Sequence, residues 1–342
     1  MKTVTLGNTG IIANKNGFGA LPIQRVSFEE AADIIHLAYD NGVNFYDTAR
    51  SYSDSESKLG EAFKGVPRDS YYIATKTPAT TGEQVMKDLE TSLNELRTDY
   101  IDIYQLHCAQ KCYRPGEEDG VYDALLRAKQ QGKIRHIGIT AHLLTVAREA
   151  IDSGLYATLQ YPFSYISQKQ EIELVKHCVE QGMGFLGMKG LAGGLLTNAA
   201  ACYWFADQYD GVLPLWGVQR MEEMQQFIDL QKNPPALTED LKALMDKDKE
   251  ELSGSFCRGC GYCMPCPQDI KISNCARMSQ MIRRAPSKNW LSEEWQANMK
   301  QIETCLHCGK CSEKCPYGLD TPALLEANYE DYQNILAGKV QV

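Results

Sequence analysis

The sequence predicts an α/β protein in two parts: a parallel eight-stranded (β/α)8 barrel (a TIM barrel), followed by a smaller helical module. Three observations predict it. Short apolar runs alternate with amphipathic stretches eight times over roughly 215 residues, close to the ~250 such a barrel takes. The first run leads into GFGALPIQR and not a GxGxxG turn, which disfavours an open doubly wound nucleotide-binding sheet. Nine of the thirteen cysteines fall in the last 86 residues, a crowding that points to metal ligation.

Composition bounds the rest. The 342 residues are 44% hydrophobic, 9% aromatic and 23% charged, an ordinary globular composition that excludes disorder. A net charge of −9 lacks the basic footprint of nucleic-acid or anionic-membrane binding. No apolar run approaches the ~20 residues of a membrane span. The start, MKTVTLGNTGIIA, has no signal-peptide pattern. A cytoplasmic protein without nucleic-acid or membrane partners is expected, and the odd cysteine count argues against a disulfide framework.

The strand-like runs are residues 18–21, 44–47, 71–75, 101–106, 135–139, 158–161, 184–188 and 212–217. Between them, residues 28–41 and 83–96 read as amphipathic helices, the first burying Ala32, Ile35 and Tyr39. Gly42, Gly132, Gly154 and Gly182 close helices before the next strand. Residues 1–16, with their LGNTG turn, form a hairpin that closes the bottom of the barrel.

Chemistry in such barrels sits where strands end. The second strand ends NFYDTARSY, with Asp47 at its tip and Tyr52 five residues on. The third ends in Lys76 and the fourth in His107. Singly, each has an ordinary reading: a turn aspartate, a packed tyrosine, a surface lysine, a structural histidine. Together they form a constellation on one rim. A lysine ending an apolar strand needs an acid to offset its desolvation, and Asp47 is that acid. The Lys76 ammonium would lower the tyrosine pKa from its usual ~10 and make Tyr52 a proton donor. His107 would hydrogen-bond a substrate oxygen. These groups suit protonation of a carbonyl as hydride arrives, or the reverse.

On these residues, together with GKIRHIGIT, LQYPFS and GMKGLAGG, the stretch 3–232 resembles the aldo-keto reductase family. The resemblance implies a barrel that binds NADP or NAD in extended form. By position it implies that Thr140 and Gln160 hold the nicotinamide carboxamide and that Met188 lies beside the ring. Gly190, Leu191, Gly193, Gly194 and Leu195 would line the pyrophosphate, and Arg220 would meet a 2′-phosphate. Three features depart from the family: Ala141 and His142 where asparagine is common, no aromatic on strand seven, and a single basic residue in WGVQRMEEMQQ. The last keeps NAD open.

Residues 236–252 carry nine charges in seventeen positions and read as an exposed connecting helix. Then come CRGCGYCMPCP and CLHCGKCSEKCP; the second fits C-x2-C-x2-C-x3-C-P, and the first is one residue shorter before its fourth cysteine. Because the fourth cysteine serves the other cluster in two-cluster ferredoxins, Cys257, Cys260, Cys263 and Cys315 are assigned to one [4Fe–4S] cluster, and Cys305, Cys308, Cys311 and Cys266 to a second. Two four-cysteine zinc sites are the alternative. The helix-like text between the runs favours a helical module. Cys275 reads as a spare buried thiol, Cys178 and Cys202 as packing residues, and Cys108 and Cys112 as lining the substrate pocket.

The whole chain thus resembles the iron–sulfur branch of the aldo-keto reductases, with a barrel at 1–235, a connecting helix at 236–252 and a ferredoxin-like iron–sulfur domain at 253–342. That implies interconversion of a carbonyl (aldehyde, ketone or keto-sugar) and an alcohol, with a ferredoxin-like protein as a candidate redox partner. The other functional class is an electron-transfer subunit with the barrel as scaffold.

Overall fold

Residues 2–252, 256–261, 263–284, 287–315 and 317–341 are described by a computed structural model. Strands β1 (Thr3–Thr5) and β2 (Ile12–Asn14) pair antiparallel around the Gly7–Thr9 turn. The remaining strands are β3 (Gly17–Gly19), β4 (Phe45–Asp47), β5 (Tyr72–Thr77), β6 (Ile101–Leu106), β7 (Ile134–Thr140), β8 (Thr158–Pro162), β9 (Gly184–Met188) and β10 (Val212–Gly217). They are parallel and close into a barrel in the order β10-β3-β4-β5-β6-β7-β8-β9, as the eightfold alternation predicts.

The side-chain period of two along a strand divides the barrel interior into layers. Phe45, Ala74, Ile103, Leu186 and Leu213 form an apolar layer packed on Val4, Leu6, Ile11 and Ala13 of the hairpin. Two residues further along their strands stand Asp47, Lys76, Gln105 and Met188. The hairpin therefore plugs one end while polar groups gather at the other.

Helix α1 (Phe28–Asp40) starts at a capping box in which Ser27 and Glu30 satisfy each other's backbone N–H groups. Its buried stripe is Ala31, Ile34, Ile35 and Ala38, a face turned from the expected Ala32, Ile35 and Tyr39; Ala32 and Tyr39 are only half-buried. Gly42, Gly132, Gly154 and Gly182 all adopt the left-handed backbone that closes a helix.

The chain divides into two compact units, Met1–Gly190 with Ala199–Thr238, and Leu191–Asn198 with Glu239–Val342. The charged helix α2 (Glu239–Glu251) belongs to the second unit and buries Met245 and Asp248. The second unit is helical, its longest helices being α2 and Thr321–Leu336. Its core joins Ile270, Ile272, Met278, Met299, Leu325 and Tyr332, with Cys257, Cys263, Cys266, Cys305 and Cys311 packed against it. Cys275 is fully buried in that core, and Cys178 and Cys202 are buried in the first unit. No described helix is long and apolar enough to cross a membrane.

Gly7 shows how tightly the hairpin seats. Its backbone is left-handed (φ 49°), and a Cβ there would lie 2.3 Å from the Gly182 carbonyl oxygen. Gly10 is also left-handed (φ 77°), but a Cβ there meets nothing within 4 Å. Both alanine variants carry the conformational cost, whereas only Gly7→Ala clashes. Thermal or urea unfolding should show Gly7→Ala less stable than Gly10→Ala by about 1–3 kcal/mol. Equal stabilities would mean the hairpin can lift off the barrel at no cost.

Candidate active site and cysteine-lined cavities

The polar layer is organised by one buried ion pair. Lys76 Nζ donates to both carboxylate oxygens of Asp47, at 2.8 and 2.7 Å, and to the Thr48 carbonyl at 2.6 Å. The three donors of the ammonium are thereby satisfied, and both side chains are almost fully buried. Gln105 and Gln160 donate amide N–H hydrogen bonds to Asp47 at 3.4 and 3.3 Å, and Gln105 donates to Gln160 Oε1 at 2.8 Å. Burial pushes the Asp47 carboxyl up, while Lys76 and the two amides pull it down.

Tyr52 sits over this pair. Lys76 Nζ is 5.1 Å from the centre of its ring, and the His107 ring meets it edge-on at 5.6 Å. The four groups predicted to converge therefore do so. The loop carrying Tyr52 is braced on both sides. Thr48 and Ser55 hydroxyls bond at 2.8 Å, and Ser55 Oγ also donates to the Ala20 carbonyl. Arg50 joins Glu56 to Glu95, and buried Glu56 accepts from Thr75 at 2.6 Å.

The electrostatics correct one expectation. Tyr52 lies well above its ordinary value of 10, not below it, through burial and then the charge of Asp47 and the nearby Cys108 thiol. Lys76 does not promote the phenolate because its charge is paired with Asp47 at contact distance. The phenol is held as a proton donor. Burial, and then the Lys76 charge, push His107 down to about 3, so its imidazole is neutral over the physiological range. Burial, Lys189 and His107 likewise push His142 well down.

The other expected cofactor residues occupy several places. Thr140 ends β7, and its hydroxyl oxygen accepts from the Cys108 N–H at 2.7 Å, which ties the His107 loop to the next strand. Gln160 belongs to the Asp47 network. Met188 ends β9, and Gly190 packs against Trp216, where a Cβ would lie 2.6 Å from the indole. Leu191, Gly193, Gly194 and Leu195 lie in the second unit, with left-handed backbone at Gly193 and Gly194. Arg220 is bound by Glu223 at 2.6 Å and lines an open groove with Glu222, Glu223 and Asp229. Cys112 is buried beside Tyr156 and Ser153, whereas Cys108 acts on Tyr52.

In the second unit, Cys257, Cys260, Cys263 and Cys315 line a small cavity with Ile272, Leu319 and Leu324. Cys266, Cys305, Cys308 and Cys311 line another with Ile270 and Leu325, and Cys263 touches both. Among the described residues no three His, Cys, Asp or Glu side chains converge on a point suited to one metal ion. Burial pushes the Cys263 thiol up to about 12.

Residues 15–202 match the sequence model of the Aldo/keto reductase family, and residues 256–320 match a 4Fe-4S dicluster domain. The chain belongs to the aldo/keto reductase family. To this oxidoreductase family's barrel it adds a C-terminal 4Fe-4S dicluster domain. L-galactose dehydrogenase of Arabidopsis thaliana is 33% identical over 221 residues, 58% of this chain and 68% of that protein. The solved structure of aldo-keto reductase AKR11C1 from Bacillus halodurans superposes with TM-score 0.63 at 21% identity, covering 72% of this chain and 96% of that one. An aldo-keto reductase from Klebsiella pneumoniae in complex with NADPH gives 0.61 at 22%, covering 72% and 94%. These two show that the reductase barrel is shared.

Gln105 is the member of the site that sequence reading passed over. A signal existed: it lies two residues before His107 in IYQLH, hence on the same inward face. Lys76 and Gln105 are also register partners across β5 and β6.

The His107 shift has a consequence for stability. Below pH 6.5 the unfolded chain takes up a proton that the folded imidazole refuses until about pH 3. Stability should therefore fall as pH drops from 6.5 toward 3, and His142 contributes with the same sign. Imidazole NMR signals of His107 should show no titration above about pH 4. Titration near 6.5 would mean the ring is solvated.

Proposed function

We propose that the chain is an NAD(P)-dependent reductase that interconverts a small carbonyl compound and its alcohol. The observation that carries this reading is the contact of the buried Asp47–Lys76 pair with the half-buried Tyr52 and His107. A bound reduced nicotinamide nucleotide would supply hydride to the carbonyl carbon. Tyr52, kept protonated by burial, gives its phenolic proton to the carbonyl oxygen, so that C=O becomes CH–OH. Neutral His107 donates an N–H to the same oxygen and orients it. Lys76, held in place by Asp47, fixes the position of the Tyr52 ring above the pair. The nucleotide fits the chain's donor set: Thr140 and Gln160 offer polar groups near the tetrad, and Gly194 presents a side-chain-free face with open space around it. Glu223 competes for Arg220, so a 2′-phosphate would gain little there, and NADH remains a usable donor.

Two [4Fe–4S] clusters suit the two cavities. Cys257, Cys260, Cys263 and Cys315 would hold one, and Cys266, Cys305, Cys308 and Cys311 the other. Four thiols ringing a cavity, not converging on a point, fit a cubane better than a zinc ion. Such clusters supply one-electron transfer. Leu306 is 62% exposed beside the exposed Cys308, which favours exchange with a ferredoxin-like protein at that edge. A cytoplasmic, oxygen-poor setting follows from this reading.

Tyr52→Phe should lower carbonyl reduction by at least ~10²-fold under anaerobic conditions, with nucleotide binding by fluorescence titration retained. Undiminished turnover would reject Tyr52 as the acid. Cofactor binding without turnover by the native enzyme, across aldehydes, ketones and keto-sugars, would favour the electron-transfer subunit.

The crossed ligand assignment has its own test. Cys315→Ser should lower the iron and Mössbauer signal of the cluster at Cys257, Cys260 and Cys263 and spare the other. Loss of the cluster at Cys305, Cys308 and Cys311 instead would mean that each cysteine run serves a single cluster.

A further inference from the structure

Residues 191–198 follow β9 in the chain yet pack with the cysteine-bearing unit. Two arginines of that unit hold the segment by its backbone. Arg277 Nη1 donates to the Gly193 carbonyl at 3.4 Å, and Arg284 Nη1 to the Leu195 carbonyl at 3.2 Å. Arg284 is itself anchored by Asp248 at 2.7 Å and by Glu251. Arg277 has a second neighbour. A Cβ on Gly193 would come within 2.8 Å of its Nη1, and one on Gly259 within 2.9 Å of its Cζ. The guanidinium thus lies against the side-chain-free faces of two left-handed glycines, one in each loop. Gly259 stands between Cys257 and Cys260, and its N–H donates to Cys257 Sγ at 3.4 Å. A single fixed positive charge touches a cysteine loop on one side and the 191–194 turn on the other.

We propose that Arg277 is a positioning residue that couples the redox state of the cluster at Cys257 to nucleotide binding at the 191–194 turn. The proposal rests on the cluster and nucleotide assignments above. A cation beside a cluster stabilises the reduced form, which carries one more negative charge. A nucleotide diphosphate arriving at the turn partly offsets that cation and lowers the cluster's reduction potential. By linkage, reduction of the cluster weakens nucleotide binding by the same factor. The enzyme therefore releases nucleotide more readily once the cluster holds an electron.

The test uses the full-length protein under anaerobic conditions with ADP-ribose, which carries the diphosphate but no nicotinamide. Iron content and ADP-ribose binding are measured first on the same sample, and absence of either rejects the underlying assignments and this proposal with them. An EPR-monitored redox titration follows, with and without ADP-ribose. The expected result is a fall in the potential of one cluster, with reduced protein binding about tenfold more weakly, equivalent to ~59 mV for one electron. Arg277→Ala should lower that cluster's potential without ligand and abolish the further shift, leaving the other cluster unchanged. Arg277→Lys should restore much of the unliganded potential. Should Arg277→Ala lose iron, Gly193→Ala, which crowds the guanidinium at the turn, should keep both clusters and lose the shift at ADP-ribose concentrations shown by titration to saturate the variant. Unchanged potentials in the native protein despite bound ADP-ribose, or a shift that survives in Arg277→Ala or Gly193→Ala, would overturn the coupling.

Discussion

The Asp47–Lys76 ion pair is the constraint around which the reductase site is built. Two charges out of water are costly, and the cost is offset only where every donor has an acceptor. Here the ammonium spends its three hydrogens on two carboxylate oxygens and the Thr48 carbonyl, and two glutamine amides complete the carboxylate. The same burial keeps the Tyr52 phenol protonated and the His107 imidazole neutral. A dry pocket with one compact ion pair thus sets two further protonation states without touching either proton. The apolar layer beneath it, sealed by the hairpin, is what keeps water from the pair.

Much of this was legible because successive side chains along a strand point to opposite faces. Asp47, Lys76 and His107 could be placed on one rim from strand ends alone, and the observed strands end within two residues of the expected positions. The cysteine runs were equally readable, since their spacing reports local loop geometry. The acidity of Tyr52 was read with the wrong sign because the sequence does not show that Lys76 is bound bidentately, and a paired charge has little field at the neighbouring phenol. The stripe of α1 was misplaced for a different reason. Helix FEEAADIIHLAYD offers alanines at adjacent positions, so two faces look alike until packing chooses one. No periodicity could show that residues 191–198 pack with arginines more than eighty positions downstream.

The second unit reaches stability by a different route. Its helices are mostly short, and thiols and apolar side chains share one core in which Ile272 lines both cavities. Buried thiols such as Cys263 resist ionisation. On the proposed cluster assignment, iron that claims them as thiolates would displace those protons, so loading the clusters and ordering the core would be one process.

The ownership of residues 191–198 bears on how two such modules come to be joined. On the sequence they stand end to end, as if a ferredoxin-like piece had been appended to a complete barrel. In space Leu191–Asn198 belongs to the later unit, whose Arg277 and Arg284 hold its backbone carbonyls. No single cut in the chain separates them. A fragment ending at residue 238 would keep eight residues whose packing partners stay behind, and a graft onto another reductase would need a host turn of matching shape. The boundary of the second unit therefore falls at two places in the chain, around residues 191–198 and at residue 239.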